Sequence, residues 1–520
     1  MAPIEPSPST LRPWHRRLDE NKGLLLFAVS TAQLLDMISM SAVTITLPAV
    51  MRDVGFKVNQ LQWVTSAYAL TYGAFLLLGG RLGDLSSHRR IYLLGVTWFS
   101  IWALVNGFAK DPIVMSVGRA LQGIGAAFTI PSALALLTTT YPAGPERTKA
   151  LAIFSGTGAM GSVVGVLLGG ILGSTIGWRW IFYITSTLGF LMGIMGVLVI
   201  PVRDNELTVT DRRVDYVGTT SFTLGIVAVI YYLSQGPVTG WASASTLAPF
   251  LVGMALFVLF VFWESRIEYP IMPLRIWKSQ RFIASCLGIT MISACLNAMA
   301  YFSSLALQNV LGYTALKSSY AYVIHGVGAM VMMVLTTNVL AKVRTKIVTL
   351  VGWMFLIAAG CCWAQIQTTS SYGSIPVPAL LLNCMGLAPC FLCLQINSVA
   401  EAKDEDQGVV GACYNTFLQI GTPVGIAVSN IIANSINPAT ATKAALLPGY
   451  HAAFYSYAGM AGVGFLITLF LAPNRDPASM RQQQGASALD KTEVDLESSV
   501  PSEGETRAPT PEEGIKESQS

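Results

Sequence analysis

Charge is scarce in this chain: 12% of its 520 residues are Asp, Glu, Lys or Arg, about half the share of an ordinary soluble domain. A soluble globule is thereby excluded. The sequence contains no G-x-x-x-x-G-K-[ST] phosphate loop, no nucleophile elbow and no His, Cys, Asp or Glu cluster at metal-ligand spacing. An ATP-driven pump encoded in one chain is therefore excluded, and an enzyme or a metal site has no residues to rest on. The 32 Lys and Arg nearly balance the 28 Asp and Glu, so no basic surface for nucleic acid is expected, and no cofactor is called for. The eight cysteines, from Cys286 to Cys413, lie within or at the edges of apolar stretches. They read as packing residues, in keeping with the burial typical of free thiols.

What the chain has in quantity is apolar sequence, 53% of its residues. Runs of about 20 apolar residues recur along it, each long enough to cross roughly 30 Å of hydrocarbon as a helix. Fourteen spans are predicted, beginning near residues 24, 62, 91, 113, 149, 178, 214, 245, 282, 316, 347, 375, 407 and 450. The first apolar run follows a polar arm and is too long for a signal-peptide core, so no cleavable signal is expected. Counted over the N-terminal arm and the alternate loops, 20 Lys and Arg fall on one side against 6 on the other. Basic loops stay cytoplasmic, so both termini are expected there. From Arg475 onward the tail carries 5 basic and 10 acidic residues, a composition too poor in apolar groups to fold alone.

Two segments repeat at an offset of 260 residues: Gly161-Ser-Val-Val-Gly165 and Gly421-Thr-Pro-Val-Gly425. Each follows a charged loop by about a dozen residues. More faintly, the loop from Leu82 to Gly95 resembles that from Leu340 to Gly352. These echoes predict an all-α polytopic membrane protein built from two six-helix halves, residues 24–200 and 282–472. Residues 201–281 then form a linker carrying two extra spans, 1–23 an N-terminal arm and 473–520 an acidic, disordered cytoplasmic tail. Paired halves place a substrate site near the midplane, at their interface. Small residues packing helices would produce a similar pattern by chance.

The loop after the second span reads Gly80-Arg-Leu-Gly-Asp-Leu-Ser-Ser-His-Arg-Arg90. A turn holding a carboxylate and a cationic cluster between two helices can clamp a helix end, because helix termini carry opposite partial charges. Here the sequence resembles the major facilitator superfamily, whose loop signature is matched by Gly80, Leu82, Asp84, Arg89 and Arg90. Ser87 stands where that signature has a second Gly, and Leu85 where Arg is usual. Leu35-Asp36 with Leu47-Pro48 is similar to the first-span motif of drug:proton antiporters, and Arg119 to Ala127 to their fourth-span motif. Gly161, Gly165, Gly169 and Gly170 resemble the fifth-span antiporter motif, with Val166 in place of the usual Pro. The Trp178 to Tyr183 segment and the two extra spans resemble the fourteen-span branch, fungal members especially. The resemblance implies a major facilitator fold, a cytoplasmic gate at Gly80, Asp84, Arg89 and Arg90, and alternating-access efflux of drugs, toxins or secondary metabolites against inward protons. Positive-inside charge alone accounts equally for Arg89 and Arg90.

Asp36 is the single Asp or Glu in the interior of a predicted span, and Arg119 the single Arg or Lys. A carboxylate at the midplane costs about 2.5 to 3.5 kcal/mol on insertion scales, which makes it a functional suspect. Desolvation and a nearby cation bias its protonation in opposite senses, which allows it to bind and release a proton. Asp36 is accordingly the expected proton carrier, with Arg119 tuning it or relaying its state; a static buried ion pair is the alternative. His325 is a second proton candidate, a hydrogen-bonded packing histidine being the commoner role. Gln33, Tyr68, Tyr72, Gln122, Asn297, Tyr301, Gln308, Asn415 and Gln419 are the expected lining of a cavity for an amphipathic organic molecule. Interhelical hydrogen bonding explains such residues too. The expected partners are thus a small-molecule substrate, protons and the lipid bilayer. A monomer is expected in the plasma membrane, with a vacuolar membrane as the alternative. Carriage of one endogenous metabolite, siderophore or inorganic acid, or uptake, remains a rival function; a transporter-like receptor would call for a folded cytoplasmic domain.

Overall fold

The computed structural model describes residues 13–473 apart from 58–59, 142–144, 201–214, 268–271, 273, 341, 402–406 and 437–442. The N-terminal arm before Pro13 and the acidic tail lie outside the described residues. All regular structure among the described residues is helical. The first six long helices are α1 (Pro13–Val54), α2 (Trp63–Leu85), α3 (His88–Phe108), α4 (Pro112–Thr140), α5 (Pro145–Ser174) and α6 (Arg179–Val199). Then come α7 (Tyr216–Thr239) and α8 (Ala244–Glu264). The last six are α9 (Gln280–Leu305), α10 (Ala315–Leu340), α11 (Thr345–Trp363), α12 (Pro376–Val399), α13 (Gln407–Ile436) and α14 (Lys443–Leu471). A π-helical turn, Ala306–Val310, extends α9.

Helix is the form such sequence takes because every backbone group in hydrocarbon must find its partner within the segment. Twelve of the fourteen helices begin within four residues of the predicted spans; α1 and α14 begin earlier, at Pro13 and Lys443, because the helix continues past its apolar run. Thirteen are long and apolar enough to cross a membrane. The remaining one, α2, carries Thr65, Ser66, Tyr68, Thr71 and Tyr72, polar side chains that are buried. On α8, by contrast, Leu251, Val258 and Phe262 are exposed, the surface a lipid-facing helix presents.

Glycines set the closest packing. A Cβ at Gly165 of α5 would lie 2.8 Å from the Cα of Ile38, and one at Gly161 2.8 Å from the carbonyl oxygen of Leu34. In α13, a Cβ at Gly425 would lie 2.5 Å from the Cα of Ala294, and one at Gly421 2.3 Å from the oxygen of Thr290. The repeated G-x-x-x-G therefore does the same thing twice, seating α5 on α1 and α13 on α9. Small residues at four-residue spacing give this backbone approach, where van der Waals contact replaces the hydrophobic effect. Gly169 and Gly170 extend the seam: a Cβ at Gly169 would meet Ala42, and one at Gly170 would meet Ser319 of α10.

The two extra helices pack on each other, and α7 packs against α2 and α13. Thr223 of α7 donates to the carbonyl of Ala74 at 2.9 Å, and Phe222, Ile226, Ile230 and Phe260 share one apolar cluster with Leu70, Leu77, Val410 and Cys413. Among the described residues, four hydrogen bonds join residues 24–200 to residues 282–472. Asn430 donates to Gln62 Oε1 at 2.8 Å, Gln308 to the carbonyl of Ile45 at 2.9 Å, Ser304 to that of Thr44 at 3.3 Å, and Leu316 N–H to Ser174 Oγ at 3.0 Å. All four lie at the end of the bundle that holds the C-termini of α1, α5, α9 and α13 and the N-termini of α2 and α10.

Gly165→Ala is expected to destabilise the protein by about 1 to 3 kcal/mol, the usual cost of overpacking a tight contact. Gly459→Ala, where no atom stands within 4 Å of the new Cβ, is expected to be neutral. Thermal unfolding in detergent checks the pair, and equal midpoints would remove the α1–α5 seam as the cause of stability.

Candidate functional site

The polar centre of the first six helices is built around Arg119 of α4, whose side chain is fully buried. Its Nε donates to the carbonyl of Val64 at 2.9 Å. Its Nη1 donates to Ser39 Oγ at 3.1 Å and to Gln122 Oε1 at 2.9 Å. Gln122 in turn donates to Ser39 at 3.3 Å and accepts from Asn106 Nδ2 at 3.1 Å. The guanidinium lies over the Tyr68 ring, 4.3 Å from its centroid. Four helices, α1 to α4, thus each contribute to holding one cation.

Asp36, 2% exposed on α1, joins this network through Tyr68, whose hydroxyl donates to its Oδ1. Asp36 and Arg119 make no direct ion pair among the described residues; the Tyr68 side chain stands between them. The acid and the base are thus linked through Tyr68 rather than paired directly. A tyrosine linking carboxyl and guanidinium supplies a donor when Asp36 is ionised, while its ring keeps favourable contact with the cation. A carboxyl so placed can hold a proton away from bulk water.

His325 of α10 lies in the second six-helix set. Its Nε2 and Asn383 Oδ1 are 2.7 Å apart, and Asn383 donates its amide to the Tyr457 hydroxyl at 2.6 Å. That donation orients the Asn383 amide so that its oxygen faces the ring, which requires His325 Nε2 to carry the hydrogen. The chain pins α10, α12 and α14 together.

The nine expected cavity residues do not share one wall. Tyr68, Tyr72 and Gln122 are buried around Arg119, and Tyr72 meets Tyr68 edge-on at 6.1 Å. Gln33 sits beside Gly158 of α5. Asn297 donates to Thr422 at 2.9 Å and to the Ser293 carbonyl at 3.0 Å, tying α9 to α13. Tyr301 is buried against Phe302, and Gln308 bonds α1 across the interface. Gln419 is buried opposite Gly73 of α2. Asn415 is exposed and bonds only the Gly411 carbonyl of its own helix, at 3.0 Å.

The segment expected as a loop is mostly helical: Gly80 and Asp84 belong to α2, Arg89 and Arg90 to the first turn of α3, and only residues 86 and 87 lie between. Arg89 donates to the carbonyls of Ile200 and Val197 at 2.7 and 3.0 Å. It caps the C-terminus of α6, where a cation meets the negative end of the helix dipole. Arg90 is exposed, Gly80 lies near Pro131 of α4, and the side chain of Asp84 lies outside the described residues. Three participants escaped sequence reasoning. Ser39 lies one turn from Asp36 on α1 and was open to a spacing argument. Asn106 carries no such signal. Asp53 accepts from the Trp178 indole at 2.9 Å and pairs with Arg179 at 3.6 Å, giving the Trp178 segment a structural task at the ends of α1 and α6.

A polytopic helical bundle with a buried acid and base in one half is the architecture of a membrane transporter, and comparison with known proteins agrees. The profile of the Major Facilitator Superfamily matches residues 29–426. The chain belongs to that superfamily: it is an integral membrane secondary transporter with the all-helical major facilitator fold. The multidrug transporter mfsC of Aspergillus fumigatus is 27% identical over 481 residues, 91% of each chain. The low affinity ammonium transporter of Saccharomyces cerevisiae is 27% identical over 417 residues, 79% of this chain and 80% of that one. Among solved structures, the POT family transporter PepTSo aligns with a TM-score of 0.65 at 15% identity, covering 88% of this chain and 98% of that one.

Arg119→Leu is expected to destabilise the protein more than Asp36→Asn does. The leucine removes three hydrogen bonds, to Val64 O, Ser39 and Gln122, and each lost hydrogen bond to a charged group contributes about 1.5 to 3 kcal/mol. Asparagine at position 36 still accepts from Tyr68. Unfolding midpoints of the two purified variants check the order.

Proposed function

We propose that the protein is a proton-coupled exporter of small organic compounds, drugs, toxins or secondary metabolites, of the fourteen-span drug:proton antiporter branch. The observation that carries this reading is Asp36, the carboxyl buried within the first six helices and linked through Tyr68 to Arg119. A proton bound there alters the balance of a network that four helices share. Likeness to a multidrug transporter along 91% of both chains supports organic substrates. His325 is the second candidate for proton binding.

In this reading residues 24–200 and 282–472 are the two moving halves, residues 201–281 carry the inserted pair of helices, and both termini are cytoplasmic. The four hydrogen bonds between the halves then belong to an external gate in its closed state. The segment of Gly80, Asp84, Arg89 and Arg90 closes the cytoplasmic side, with Arg89 anchoring it to α6. Gly161, Gly165 and Gly169 seat α5 on α1 within the first half, and Gly170, against Ser319 of α10, gives the close contact along which the halves move. Substrate enters between the halves, near Gln33, Tyr72, Asn297, Tyr301, Gln308, Asn415 and Gln419, and the plasma membrane is the expected site of action. A second reading, a narrow-specificity carrier of one small solute, draws on the likeness to an ammonium transporter.

Reconstituted protein under an imposed pH gradient, offered lipophilic cationic dyes, antibiotics and ammonium in turn, separates the two readings by which class moves. Asp36→Asn is expected to abolish the pH-driven movement and to retain substrate binding. Transport at the wild-type rate in Asp36→Asn would place the proton elsewhere, with His325 the next residue to change.

A further inference from the structure

Asp36 has two carboxyl oxygens, and the helices supply a partner for one. Oδ1 accepts from Tyr68 of α2, whereas Oδ2 is buried and has no hydrogen-bond partner. A buried acceptor left this way costs about 1 to 3 kcal/mol, and more when it is charged. Beside Asp36 lies a void walled by α1, α3 and α4, to which α2 contributes nothing. Its polar members are Asp36 and Thr129; Ala32, Val96, Phe99 and Ala126 are among the apolar ones. About 10 Å³ of it is open to the centre of a water molecule, the lower edge of what one buried water needs. Thr129 gives its own hydroxyl hydrogen to the Gly125 carbonyl at 2.8 Å, so its oxygen is left to accept. The α3 backbone is close because residue 95 is glycine: a Cβ there would stand 2.6 Å from Thr129 Oγ1.

We propose that this void is a single-water site, held by Asp36 Oδ2 and Thr129 Oγ1, through which Asp36 exchanges its proton. The inference rests on the proton-coupled reading and locates the exchange on the inner face of the first six helices, away from the interface between halves. Neutral Asp36 donates to the water, and the water donates to Thr129. On release the carboxyl O–H bond breaks with its electron pair left on Asp36, the site's water takes that proton, and one of the water's own O–H bonds breaks to give a proton to bulk water when the surrounding layer opens. Val29, Val96 and Ala133 belong to the apolar layer packed next to the site, so the onward transfer waits on a fluctuation of that layer. Substrate and proton then reach Asp36 from different sides.

The test needs no substrate. The Asp36 carboxyl stretch is assigned in infrared spectra of the full-length purified protein, by difference against Asp36→Asn, and followed on transfer to deuterium oxide. Ala126→Val fills the void and Thr129→Val removes the acceptor at nearly constant shape; Thr138→Val, on the same helix outside the void, is the control. Both void variants are expected to shift the band to higher wavenumber, with Ala126→Val also losing the prompt deuterium shift, while Thr138→Val leaves both unchanged. Should Ala126→Val fail to fold, the band position in Thr129→Val decides. A band unmoved in the void variants, with its deuterium shift kept, overturns the water site and leaves the proton role of Asp36 standing. A difference spectrum with no protonated carboxyl at any pH overturns the proton role and this inference with it.

Discussion

A guanidinium that meets no water must spend its donors on the protein, and the first half of this transporter is arranged around that requirement. Arg119 reaches a carbonyl on α2, a hydroxyl on α1 and an amide on its own helix, with an aromatic face beneath it. Removing such a charge from water is costly unless the surrounding hydrogen bonds are well formed. Three helices are consequently tied by one side chain, and Gln122 extends the tie to Asn106 of α3. Asp36 depends on the same arrangement, since Tyr68, which bonds it, also lies against the cation. Whatever alters the carboxyl is felt by a residue that touches α1, α2 and α4 together.

Glycine seams supply the complementary property. Where α5 rests on α1 and α13 on α9, each within one set of six helices, the helix backbones approach closely. The halves meet through α5 with α10 and α2 with α13, with a glycine on one side each time: Gly170 against Ser319, and Gly73 against Gln419. Each set of six helices is thus held by polar bonds and close-packed through glycine, and glycine recurs where the two sets meet.

The inserted helices take a different position. They contribute no charged residue to the network around Arg119; Asp215 instead caps α7 and accepts from the Trp263 indole at 2.7 Å. Their apolar contacts fall on α2 and α13, one helix from each half. Any motion at that seam has to be accommodated by the pair.

The number, length and approximate limits of the helices were legible in the sequence, because hydrocarbon leaves the backbone no alternative to helix. Asp36 and Arg119 stood out for the same reason, since a charge within an apolar run is expensive enough to need a purpose. The repeated G-x-x-x-G betrayed the paired design, as close helix contact demands small residues wherever it occurs. What tertiary structure alone decided was which groups meet. That Tyr68 would separate the acid from the base, that Asn106 would complete the amide chain and that Arg89 would cap α6 all depend on which faces of non-consecutive helices abut. The dispersal of the nine polar residues expected to line one cavity has the same origin. Spacing along a helix assigns a side chain to a face, whereas its partner is set by the rotation and neighbour of that helix, which arise from packing the whole bundle.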